Sequence, residues 1–146
     1  MSDKFTIVYV GNVNELEEHI LYKSEQEIRK GKLGLWCETA DQYVRQLSII
    51  GINPYPESAL DDTIADNTPP MVKHINKNTE YENFYRWGIQ GGRTGNHRII
   101  YAILNFHKVI LLHHFHKRYN GLIKRRDLVP AESNYEDYCL DDPNLY

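Results

Sequence analysis

The sequence predicts an α+β domain in which helices come first and an antiparallel sheet follows. Three observations support this. Ala40, Tyr43, Val44, Leu47 and Ile50 recur at helical spacing. Three segments rich in β-branched, aromatic and aliphatic residues, 81–89, 97–104 and 109–116, are separated by turn-forming residues. The 146 residues suit one domain with one core. That domain divides into a strand and helical hairpin over 1–51, a loop over 52–72, and a sheet with a C-terminal helix over 73–138.

Phe5 to Val10 reads as a first strand, ended by Gly11 and Asn12. Asn14 is a candidate helix cap, and Glu15, Glu17 and Glu18 follow it near the positive end of the helix dipole. The helix runs to Lys30, with Gly31 as its stop. Leu33 to Trp36 reads as an apolar connection. Thr39-Ala40-Asp41-Gln42 fits a capping box, and Gly51 closes the second helix. Residues 52–70, with Pro54, Pro56, Pro69 and Pro70, read as a loop holding a helical turn over 57–64. The second half begins at Met71 to Ile75. Gln90 to Asn96, with three glycines, reads as a flexible turn, and Asn105 to Lys108 as a tight one. Tyr119 to Val129 is a helix candidate that Pro130 interrupts, or Pro130 starts a new turn covering 132–138.

No apolar run reaches the roughly 20 residues that span a bilayer. The first nine residues lack the pattern of a secretory signal, so a cytoplasmic location is expected. Cys37 and Cys139 are read as reduced thiols. The formal net charge of −3 conceals an asymmetry. Residues 1–83 carry eight Lys/Arg and fourteen Asp/Glu, and residues 131–146 carry five acids and no Lys or Arg. Between them, residues 84–130 carry nine Lys/Arg against Asp127 alone, and five of the seven histidines. A basic block of this kind points to an anionic partner, nucleic acid foremost, or to neutralisation by the chain's own acidic ends.

Three motifs occur in this block: Phe84-Tyr85-Arg86-Trp87, Asn96-His97-Arg98-Ile99-Ile100-Tyr101, and Val109 to Arg118, which contains Leu111-Leu112-His113-His114-Phe115-His116-Lys117-Arg118. Together they resemble the RelE/ParE toxin superfamily, closest to its HigB and phage-derived branch, over about 40 residues. That branch has strands of the form Leu-Trp/Tyr-Glu-Leu-Arg, then Tyr-Arg followed by apolar residues and Tyr, then Leu-Leu-His-x-Phe-x-Lys-Lys. The resemblance implies N-terminal helices packed on a curved antiparallel sheet, with a short C-terminal helix. It implies a toxin of a type II toxin–antitoxin system, a metal-independent mRNA endoribonuclease often acting on the ribosome, with no cofactor. It also implies a cognate antitoxin, expected to be a helix-turn-helix protein, and no membrane partner. Arg98 matches the family's strand arginine, Lys117 and Arg118 its paired bases, and His113 its Leu-Leu-His histidine. Arg86 stands where the family usually has Glu, Gly88 where it has Arg, and Pro130 where its last helix continues. These departures favour, as alternatives, a non-catalytic toxin-like binding protein or a gyrase poison of the ParE kind.

RNA cleavage without metal needs cations on the phosphate and groups that move protons to and from oxygen. Arg98 and Arg118 are the candidate phosphate clamps, because a guanidinium binds phosphate through two parallel bonds. Lys117 is a point charge or an acid, and His116, at the open end of its strand, a candidate acid or base. Arg93, His97, Tyr119, Lys124 and Arg125 extend the set as RNA-binding residues, with Tyr119 able to stack on a base. His114 and His116 share a strand face and could chelate zinc or copper. No neighbouring Cys or carboxylate completes that set, so no metal is expected.

Overall fold

The computed structural model describes residues 4–55, 71–105 and 107–141. Strand β1 (Thr6–Tyr9) leads into helices α1 (Val13–Arg29) and α2 (Leu35–Ile52). Strands β2 (Met71–His74), β3 (Phe84–Gln90), β4 (Asn96–Leu104) and β5 (Lys108–His116) follow, and helix α3 (Arg125–Asp141) ends the described chain. A 3₁₀ turn, Gly92–Thr94, joins β3 to β4. The strands form one sheet in the order β1-β5-β4-β3-β2. β2 to β5 pair antiparallel, as the sequence predicts for the last three. β1 pairs parallel with β5, so the sheet is mixed rather than wholly antiparallel. The reason is topological: the helical hairpin carries the chain from β1 at one edge to β2 at the other, so β1 and β5 are not joined by a tight turn and are free to pair parallel. No helix among the described residues is long and apolar enough to cross a membrane. The helical turn expected over 57–64 lies outside the described residues.

α2 begins four residues before the expected capping box. Its free N–H groups are capped by a side chain from α1: the Glu27 carboxylate accepts from the backbone N–H of Gly34 (3.0 Å), Trp36 (3.2 Å) and Cys37 (2.9 Å). These bonds hold that carboxyl below its usual range although desolvation opposes them. Thr39 is therefore inside the helix and buried, with its hydroxyl 3.0 Å from that of Thr94. Gly31, at φ +72°, closes α1, as the sequence predicts. Val44, expected on the apolar face, is half-exposed.

The sheet separates two apolar layers. On one face, Val13, Leu16 and Ile20 of α1 and Ala40, Tyr43 and Ile50 of α2 pack on Trp87, Ile99, Tyr101 and Leu111. On the other, Leu128, Ala131 and Tyr135 of α3 pack on Phe84, Ile100, Ala102, Ile110 and Leu112. α3 runs 17 residues through Pro130, so the expectation of a short, interrupted helix is corrected. Pro130 forfeits one bond to the carbonyl of Arg126. Arg126 is exposed, so water can satisfy that carbonyl, while burial of Leu128, Ala131 and Tyr135 holds the helix to the sheet.

Tyr43 stacks on Trp87 with ring centroids 5.3 Å apart, and the Trp87 indole N–H donates to Gln46 at 2.7 Å. Trp87 is fully buried. Gln46→Leu removes the acceptor of that N–H and should lower unfolding free energy by about 1–3 kcal/mol in urea denaturation. An unchanged midpoint would show that water reaches the indole.

Candidate functional site

Successive side chains on a strand point to opposite faces. On β4, His97, Ile99 and Tyr101 face α1 and α2, whereas Arg98, Ile100 and Ala102 face α3. On β5 the alternation is interrupted. Ile100 lies opposite His113 but Tyr101 lies opposite Leu111, so Leu112 is the extra residue of a β-bulge. Beyond the bulge, His114 and His116 share the face of Ile99 and His97, which lie opposite them. His113 and Phe115 lie on the face of Arg98. The sequence-predicted residues therefore fall into two groups on opposite faces.

The basic group surrounds Arg98. This residue is 7% exposed and lies opposite Gly88. A Cβ on Gly88 would stand 3.0 Å from Arg98 Nη1 and 3.2 Å from Cζ, so glycine leaves room for the guanidinium. Nη1 donates to the Asn96 side-chain oxygen at 2.7 Å and to the His97 carbonyl at 3.0 Å. Nε is buried and has no partner. Burial first, then repulsion from Arg86, lowers the Arg98 pKa from the usual arginine value. Arg86 is half-buried, and burial lowers its pKa also. No carboxylate pairs with either guanidinium among the described residues. Asn96 connects Arg98 to Lys117, since its side-chain nitrogen donates to the Lys117 carbonyl at 3.0 Å. Burial, then Arg98 and Arg86, holds the Lys117 ammonium below its ordinary pKa. Arg86 also lines a cavity of about 360 Å³ with Lys73 and Lys77, and none of the described residues that line it is acidic.

Tyr119 lies beyond β5 with three cations about its ring: Lys117 at 5.3 Å, Lys124 at 4.8 Å and Arg126 at 5.7 Å from the centroid. Its hydroxyl donates to Asp127 at 2.5 Å. Lys117 Nζ also donates to the Gly121 carbonyl. Arg118 is exposed next to Lys117. Arg125 is held by Glu132 at 2.6 Å and by the Asn78 carbonyl at 3.0 Å, so its charge is already engaged in a structural pair. Arg93 is exposed on the 3₁₀ turn. Sequence reasoning passed over Arg86 because it occupies a position where the resembled family has Glu. Its two-residue spacing from Gly88 and from buried Phe84 was the available sign that it shares their face.

The second group is His97, His114 and His116, with ring centroids 4.9–5.1 Å apart. His97 Nδ1 lies 2.9 Å from His114 Nε2. Burial pushes the His97 imidazole down to about 4, helped by His116 and His19, and the His114 imidazole down to about 3, helped by His97 and His116. Both rings are thus neutral at pH 7, with lone pairs available. They line a second cavity of about 230 Å³, together with Glu15, His19 and Trp36.

No family model, curated protein or solved structure matches the chain.

The geometry around Arg98 makes a prediction that needs no substrate. An unpaired buried guanidinium is costly, and an anion that pairs with it offsets that cost. Inorganic phosphate at ten times its Kd should stabilise the wild type by about 1.4 kcal/mol in thermal or urea unfolding. Arg98→Met should be at least as stable as wild type without phosphate and gain nothing from it. Equal stabilisation of both proteins would place the anion elsewhere.

Proposed function

We propose that this chain is a metal-independent endoribonuclease of the RelE/HigB toxin kind, acting on mRNA through the basic face around Arg98. The supporting observation is a buried guanidinium with an unpartnered Nε, beside Arg86 and Lys117 and paired with no carboxylate among the described residues. That arrangement suits a phosphodiester, whose two free oxygens accept from planar guanidinium donors. The order of elements and the antiparallel β3-β4-β5 run are compatible with the toxin resemblance, and fold by itself does not decide activity.

In this reading Arg98 and Arg86 hold the scissile phosphate and stabilise the charge that grows as the 2′-oxygen attacks phosphorus. The bond from phosphorus to the 5′-oxygen breaks, leaving a 2′,3′-cyclic phosphate. Lys117, with its pKa lowered by its cationic neighbours, protonates the departing 5′-oxygen, and the proton of the 2′-hydroxyl passes to water. Tyr119 offers a face on which a flanking base can stack. An antitoxin would silence the protein by covering this face with acidic side chains. His116 and His97 take no part, because they lie on the opposite side of the sheet. A second reading, a toxin-like binder without catalysis, has one observation in its favour: Lys117 and Tyr119 already spend donors on Gly121 and Asp127.

Induction of the protein alone in a bacterial host should slow growth and deplete intact mRNA. Arg98→Ala should lower the cleavage rate on purified ribosomes by about 10²-fold or more, the usual loss for a preorganised charge-stabilising donor. Arg86→Ala should act in the same direction, and chelators should change nothing. A folded, well-expressed wild type that leaves growth and mRNA intact would remove the nuclease reading and leave the binding one.

A further inference from the structure

We propose that His97, His114 and His116 form a binding site for one divalent transition-metal ion, zinc foremost, on the sheet face opposite Arg98. The site is independent of the proposed nuclease face. One candidate ligand nitrogen from each imidazole lies within 4.8 Å of the other two. A tetrahedral zinc with bonds of about 2.0–2.1 Å separates its nitrogens by about 3.3 Å. The 2.9 Å between His97 Nδ1 and His114 Nε2 therefore needs to open by only a few tenths of an ångström. His114 and His116 sit two residues apart on β5, and His97 lies directly across the ladder from His116. Rigid strands thus hold all three, which suits a metal site better than loops do.

The surroundings suit this use. The Thr94 hydroxyl donates to the Gly91 carbonyl at 2.8 Å and lies 3.4 Å from His97 Nε2. With its proton engaged, the hydroxyl accepts from Nε2–H, which leaves the Nδ1 lone pair directed at the other two rings. Asn12 fixes the backbone of His114 from both sides, accepting from its N–H at 2.7 Å and donating to its carbonyl at 2.9 Å. Gly95, at φ +126°, admits the rings: a Cβ there would stand 2.5 Å from His116 Nδ1 and Cε1. Three protein nitrogens leave a fourth position on a tetrahedral ion, and the three rings line one 230 Å³ cavity with Glu15 and His19. An open fourth position is the mark of a site that takes water or an exogenous ligand, rather than a closed structural one.

The test uses untagged full-length protein, stripped with chelator, dialysed and titrated with zinc by calorimetry. Cobalt(II) loading is followed in parallel by visible absorption. The expected result is one zinc per chain with micromolar affinity or better, and an intense tetrahedral cobalt spectrum. His116→Ala removes the exposed ligand with little risk to folding and should weaken zinc binding at least 100-fold. His107→Ala, on the β4–β5 turn, should not alter it. Circular dichroism of each variant confirms that it is folded. Binding only at millimolar zinc, or zinc affinity unchanged in folded His116→Ala, would overturn the site.

Discussion

Both polar centres of this molecule depend on β4 lying at the centre of the sheet, paired on both edges. A central strand cannot slip its register without turning every side chain over. The buried runs of the two nine-residue strands β4 and β5, seven residues (97–103) in the first and four (109–112) in the second, leave no second register that keeps both apolar layers covered. With Ile99 and Tyr101 committed to the helical hairpin and Ile100 and Ala102 to α3, His97 and Arg98 are forced to opposite sides. The bulge at Leu112 then aligns the outer end of β5 with this division. Two polar centres of different chemistry result, back to back across one sheet, and neither can be moved without disturbing the core between them.

The two centres differ in energetic standing. The histidine face carries a smaller cost, because the neutral imidazoles of His97 and His114 bond to one another. The arginine face is not. Arg98 carries its charge in a buried position beside Arg86 and Lys117, with two neutral acceptors on Nη1 and none on Nε. Such a charge is retained against its desolvation penalty, of several kcal/mol in protein interiors. Gly88, which opens the space for it, sacrifices strand stability to do so. Both departures from optimal stability occur at one spot, and that is how functional sites in folded proteins commonly reveal themselves.

Much of this was legible in the sequence and some was not. The β-rich segments, the stop at Gly31 and the basic block can be read directly, because alternation, turn chemistry and charge are local. The start of α2 could not be read, since its cap is Glu27, a residue of the preceding helix brought near by tertiary packing. Pro130 argued for a break, and burial of Leu128, Ala131 and Tyr135 overrode it. The histidine pair on β5 was visible as a chelating pattern, but its third member comes from β4, and a pairing register cannot be inferred from spacing. Arg98 and His116 seemed to belong together because they share a charged stretch. Strand alternation and one bulge set them apart.

The claim that the face of Arg98 is the phosphate-binding face can be tested directly by nuclear magnetic resonance with a 2′-O-methyl dinucleotide, which carries a phosphodiester but cannot be cleaved. Titration should shift the Arg98 Nε–Hε resonance and the backbone amides of Asn96 and Lys117, in slow or intermediate exchange, while the ring protons of His114 and His116 hold their positions. Shifts confined to the histidine face, or an Arg98 Nε–Hε resonance unmoved at saturation, would contradict the account.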